Sequence, residues 1–115
     1  MKRQLWMLLV LLVTWGAVLA ATAQEPDGKE LYNANCKKCH GVLGTPPKTM
    51  KAKYEKIATF DAEFIAKRTD DSVVKVLMKG KGDNMKSFKN KLSPPEMMAV
   101  AKYVRELGEK SHPGS

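Results

Sequence analysis

Cys36, Lys37, Lys38, Cys39 and His40 are consecutive, and they contain both cysteines and one of the two histidines of the chain. Cysteines at i and i+3 lie on one face of a helix, about 4.5 Å apart along its axis. Two thiols so spaced, with an imidazole directly after the second, form the C-x-x-C-H signature of covalent haem c attachment. The spacing has a physical basis. Two thiols add across the two vinyl groups of one porphyrin edge, which fixes the macrocycle so that the following histidine meets the iron from one side. A C-x-x-C pair also suits a thioredoxin-like redox pair or half of a zinc site. The first requires a βαβ context that the sequence lacks, and the second requires two further ligands, for which His112 in the C-terminal tail is a poor candidate. The motif therefore predicts one haem c, bound through Cys36 and Cys39, with His40 as an axial ligand.

Caps and periodicity define the elements that must position this motif. Asp27 is a good N-cap, and Leu31, Tyr32, Ala34, Cys36 and Cys39 recur at helical spacings up to Gly41, which predicts a helix over 27–39. Residues 42–53 carry Gly44, Pro46 and Pro47 among polar residues and read as a loop. Phe64 and Ile65 mark a short helix over 61–67. Thr69 caps another, with Asp70 and Asp71 in its first turn, Val73, Val74, Leu77 and Met78 on its apolar side, and Gly80 as its stop. The basic, aperiodic stretch 80–92 reads as a loop wrapped over something. Ser93-Pro94-Pro95-Glu96 is a capping box with proline at the first helical position. Met97, Val100, Ala101 and Val104 follow at i, i+3, i+4 and i+7, Leu107 extends the stripe, and Gly108 is read as its end, leaving a frayed tail over 109–115. No strand-like alternation and no internal repeat occur, so the fold class is all-α, with three to five short helices.

The remaining length is short for a self-sufficient core. Lys2 and Arg3 precede an uncharged run from Leu5 to Ala21, and Ala21-Thr22-Ala23 has the A-x-A form of a signal-peptidase site. The sequence thus predicts a signal peptide over 1–23, cleaved after Ala23, a domain over 24–108 and a flexible tail. An uncleaved anchor is the alternative, because the apolar run sits at the lower limit for spanning a bilayer. Both tryptophans, Trp6 and Trp15, belong to the leader. Removing Lys2 and Arg3 with it takes the formal charge from +8 to +6, and two ionised haem propionates would lower it to about +4. So small a domain is commonly helped by a metal, a disulfide or a cofactor.

With these features assembled, the sequence resembles a class I cytochrome c over nearly all of residues 24–108. The resemblance rests on Gly28 and Tyr32 in the first helix, the Cys36–His40 motif, a proline after a glycine-containing loop, Met85 in Asn84-Met85-Lys86-Ser87-Phe88, and Leu92-Ser93-Pro94-Pro95-Glu96 before a final helix with Tyr103. It implies a cytochrome c fold around one covalent haem, His/Met ligation of iron, and terminal helices crossing at Gly28/Tyr32 against Val100/Tyr103. It also implies that a proline carbonyl, of Pro46 or Pro47, accepts the other ring N–H of the axial histidine. Lys86 departs from the proline that relatives often carry after the axial methionine, and the missing tryptophan leaves the propionate-side hydrogen bonds unassigned.

The methionine can also be argued from the residues. Met97 and Met98 fall in the first turns of a helix and Met78 on an apolar helix side, where methionine commonly fills gaps. Met85 is set in an aperiodic loop, far enough beyond His40 for the chain to pass around the haem edge; Met50, after the proline-rich loop, is the alternative. Ligation by His40 and Met85 leaves no open coordination position, which argues for one-electron transfer over substrate or oxygen chemistry. The expected function is an exported, periplasmic electron carrier, not an enzyme. Lys37 and Lys38 in the motif, with Lys79, Lys81, Lys86, Lys89 and Lys91 around Met85, suggest docking to acidic redox partners such as a cytochrome complex, an oxidase or a dehydrogenase. Nucleic-acid binding is not expected, and membrane contact would be transient or through an uncleaved anchor. Two other classes stay open: a sensor or peroxidase-like haem protein with the Met85 position vacant, and a fixed subunit of a larger complex.

Overall fold

A computed structural model of the chain describes residues 24–111; the proposed leader with its cleavage site after Ala23, and residues 112–115 with His112, lie outside the described residues. Six helices follow in order: α1 Gly28–Asn35, α2 Lys37–His40, α3 Lys48–Lys53, α4 Ala62–Lys67, α5 Asp70–Lys79 and α6 Pro94–Lys110. Among the described residues there is no strand; Lys81 and Met85 form an isolated antiparallel bridge.

The starts of α1, α4, α5 and α6 are set by side chains that accept otherwise orphaned amides. Asp27 accepts from Glu30 N–H, Asp61 from Phe64 N–H and Thr69 from Ser72 N–H. At α6 the capping box is complete: Ser93 Oγ accepts from Glu96 N–H while Glu96 Oε1 accepts from Ser93 N–H.

Helix α6 is the spine, with α1, α4 and α5 packed against it. Its inward stripe of Met97, Val100, Ala101, Val104 and Leu107 is almost fully buried, together with Tyr32 of α1, Leu77 of α5 and Leu92. The crossing of α1 and α6 falls where the resemblance implies. Gly28 lies so close to Ala99 that a Cβ there would sit 2.1 Å from the Ala99 carbonyl oxygen. One turn on, Tyr32 meets Tyr103 edge to face, with centroids 5.3 Å apart.

The all-α class stands, and among the described residues there are six helices where three to five were expected. The first helix breaks at Cys36, whose φ of −122° leaves the helical range. Asn35, a side chain that competes for backbone groups, precedes the break and bonds back to the Leu31 carbonyl. Residues 48–53, read as loop, form α3, nucleated by the Pro47 carbonyl accepting from Met50 and Lys51 N–H. Helix α6 does not end at Gly108 but runs to Lys110. Gly108 is buried against α4, and a Cβ there would stand 2.5 Å from Ile65 Cγ2; the glycine permits a close approach and does not stop the helix. Met78 is 45% exposed, because a step of about 100° past Leu77 carries it off the inward side.

Candidate haem site

Cys36, Cys39 and His40 open onto a single cavity of about 670 Å³ between α1–α2, the 52–60 segment, α5, the 81–88 loop and α6, within the roughly 300–1,000 Å³ common for ligand sites. Its walls are apolar, with Phe60, Phe64, Val73, Leu77, Phe88, Val100 and Val104. Its charged lining is mostly cationic: Lys53, Lys56, Arg68, Lys81 and Lys86 against a single carboxylate, Glu55.

The three motif residues are held differently. Cys36 is buried and Cys39 exposed, and both are free thiols. Burial, with Cys39 nearby, pushes the Cys36 thiol up to about 11. The His40 ring is stacked on Phe60, with centroids 4.6 Å apart and planes 20° apart. Its Nδ1 lies 3.2 Å from the Ala58 carbonyl oxygen. An Nδ1–H donated there leaves Nε2 as the basic nitrogen, the arrangement that orients histidines toward iron. Burial lowers the His40 pKa, with the Ala58 bond working weakly the other way.

In this structure the carbonyl that meets His40 Nδ1 is that of Ala58, and not of Pro46 or Pro47 as expected. Pro47 sits at the N-terminus of α3 with its carbonyl engaged by Met50 and Lys51 N–H, and Pro46 is buried in the turn before it. A backbone acceptor carries no side-chain signature, so Ala58 had no sequence signal. Phe60 was read only as a core aromatic.

Met85 lines the same cavity, and Met50, Met78, Met97 and Met98 do not. The loop that carries it is tied down at both ends. Lys81 N–H donates to the Met85 carbonyl at 2.7 Å, Met85 N–H returns to the Lys81 carbonyl at 3.3 Å, and Phe88 N–H donates to the Leu77 carbonyl at 2.7 Å. Gly80 begins the loop at a φ of 75°, and a Cβ there would meet the Met85 carbonyl oxygen at 2.7 Å. Of the lysines expected to dock partners, Lys37 and Lys38 are exposed on α2, Lys86 borders the cavity and Lys89 is exposed on the loop beyond.

These residues fit a haem c. Two free thiols, an imidazole and a thioether share one apolar cavity, and its cations match the carboxylates of a porphyrin. An all-α domain wrapped around such a cavity defines a c-type cytochrome. Residues 23–104 match the family described as cytochrome c oxidase, cbb3-type, subunit III, and the chain belongs to this family as a small class I cytochrome c. It is 34% identical over 87 residues to cytochrome c6 of Anabaena variabilis, covering 71% of this chain and 90% of that protein. With cytochrome c6 of Leptolyngbya boryana it shares 32% over 88 residues, covering 76% and 98%. The cbb3-type cytochrome c oxidase subunit FixP of Azorhizobium caulinodans is 28% identical over 93 residues, which span 81% of this chain and only 30% of that subunit. Among solved structures, the KustC0563 c-type cytochrome superposes with a TM-score of 0.64 at 36% identity, covering 70% of this chain and 96% of that one. The protein is accordingly an electron-transfer protein with one covalent haem c, not an enzyme.

Proposed function

We propose that the protein is an exported one-electron carrier whose haem iron is ligated by His40 and Met85. The observation that carries this reading is that, of the five methionines at positions 50, 78, 85, 97 and 98, Met85 alone lines the cavity that receives Cys36, Cys39 and His40. Haem c with both axial positions filled supplies one-electron chemistry between ferric and ferrous iron, with Met/His ligation raising the potential. The chain's own residues do the rest. Cys36 and Cys39 anchor the cofactor, Ala58 and Phe60 fix the His40 ring, the bridged 81–85 turn holds Met85, and the apolar walls exclude water and favour the less charged ferrous form.

The leader over 1–23 supports export to a periplasm with cleavage after Ala23, and mass spectrometry of the mature protein should give Gln24 as its first residue. The lysines at 37, 38, 86 and 89 support transient docking to acidic redox proteins. A second reading is a fixed subunit of a terminal oxidase, favoured by the match to a cbb3-type subunit family and to FixP; co-purification with partner subunits marks it. The test of the site is a redox titration of the purified protein followed by visible absorption, with carbon monoxide added to the reduced form at neutral pH. A single one-electron step with no carbon monoxide adduct is expected. An adduct would place an open coordination position where Met85 is assigned.

A further inference from the structure

We propose that the Gly41–Gly44 turn is a rigid docking knob that seats Val42 and Leu43 in an apolar, acid-rimmed patch on a redox partner protein; this rests on the electron-carrier reading above. Among the described residues the exposed large hydrophobics are Val42 at 61%, Leu43 at 73% and Met78 at 45%. Single exposed aliphatics are ordinary. Two adjacent ones, on a turn immediately after the iron ligand His40, are not accounted for by the core.

The turn is held too firmly for these side chains to fold inward. The buried Tyr32 hydroxyl donates to the Gly41 carbonyl at 2.7 Å, and Phe60 N–H donates to the Gly44 carbonyl at 2.8 Å. Both glycines adopt a φ of 83°, a left-handed conformation that side-chain-bearing residues resist. Gly44 packs on Phe60 itself, the ring that stacks on His40. A partner seated on Val42 and Leu43 thus rests on the wall of the cavity, on the His40 side.

Charge selects the occupant. From Leu31 to Tyr54 the chain has lysines at 37, 38, 48, 51 and 53 and no carboxylate, and Lys37 and Lys38 are exposed on the helix that leads into the turn. Such a field attracts an acidic surface and adds orientation. A lipid surface is the weaker match, because even one myristoyl chain binds membranes only marginally and two short aliphatic side chains offer less apolar area.

The test compares the holo-protein with its Val42→Ser/Leu43→Ser and Lys37→Glu/Lys38→Glu variants. Second-order electron exchange is measured against a flavodoxin, an acidic one-electron flavoprotein, and against ferricyanide, a small anion that has no apolar patch to seat. The serine pair should slow the flavodoxin reaction by roughly five- to tenfold, as for loss of a well-packed contact, even at high salt, with spectrum, potential and ferricyanide rate unchanged. The glutamate pair should remove most of the salt dependence. An unchanged flavodoxin rate in the serine pair overturns the proposal. So does an effect confined to binding of phosphatidylserine vesicles, which would make the occupant a lipid surface. If the wild-type protein exchanges electrons with neither reagent, the carrier reading itself fails.

Discussion

The His40 imidazole lies nearly parallel to the Phe60 ring, 4.6 Å between centroids, while its Nδ1 faces the Ala58 carbonyl two residues earlier. One short segment therefore fixes both the plane and the edge of the imidazole proposed to ligate the iron. Phe60→Ala should lower the unfolding free energy of the holo-protein by about 3–5 kcal/mol, as for other buried aromatic deletions. Phe60→Leu, which keeps most of the volume, should cost far less. Denaturant titration measures the first effect, and broadening of the His40 ring resonances in the alanine variant would report the lost stacking.

Two glycines at helix contacts should respond unequally to alanine. At Gly28 the added Cβ meets the Ala99 carbonyl oxygen at 2.1 Å, a backbone group that can retreat only if the helices separate. Overpacking of that kind costs about 1–3 kcal/mol or more. At Gly108 the overlaps are shallower, with Ile65 Cγ2 at 2.5 Å and the Asp61 carbonyl oxygen at 2.9 Å. Alanine also gains up to about 1 kcal/mol over glycine inside a helix. Thermal unfolding should show Gly28→Ala as the clearly more damaging change.

The capping box makes stability depend on pH. Hydrogen bonds from the Ser93 backbone and side chain hold the Glu96 carboxyl below its usual range. A depressed folded-state value contributes stability that is fully present above the unfolded value, about 4.3, and is lost as pH falls through the folded one. Glu96→Gln should therefore flatten the acid limb of the stability profile below about pH 4.3 by lowering neutral stability to the level the wild type reaches once Glu96 is protonated. Ser93→Ala, which removes the cap at every pH, should cost about 1 kcal/mol throughout.

Removing the cofactor should unfold the domain. A cavity of about 670 Å³, left dry, would cost about 16 kcal/mol at ~24 cal/mol per Å³, at least the whole stability of a typical small domain, and left wet it exposes its apolar walls to water. The polypeptide expressed without haem attachment should show little helical circular dichroism and no cooperative melt. A sharp transition in that material would show that the helices carry the fold unaided.

Much of this architecture was legible in the sequence, for reasons that differ by residue. Asp27, Thr69 and Ser93 announce helix starts because their side chains must satisfy amides, and the α6 stripe repeats at the helical period. The C-x-x-C-H motif is local chemistry and reads directly. The break at Cys36, the helix after Pro47 and the continuation of α6 through Gly108 were not legible, since each is decided by packing or backbone contacts from elsewhere in the chain. Gly108 carries the same letter whether it stops a helix or lets Ile65 approach. Ala58 serves through a carbonyl that every residue possesses, so its role appears only once the fold brings it to His40. The aperiodic loop already set Met85 apart from Met78 in the sequence, but the exposure of Met78 was not legible, since one step along α5 past the buried Leu77 decides it.

Ligation of the iron by Met85 is tested most directly by the long-wavelength sulfur-to-iron charge-transfer band of the oxidised holo-protein. Met85→Ala should abolish that band, lower the reduction potential and open the reduced protein to carbon monoxide, whereas Met50→Ala should leave all three as in the wild type. A band that persists in Met85→Ala and disappears in Met50→Ala would contradict the assignment.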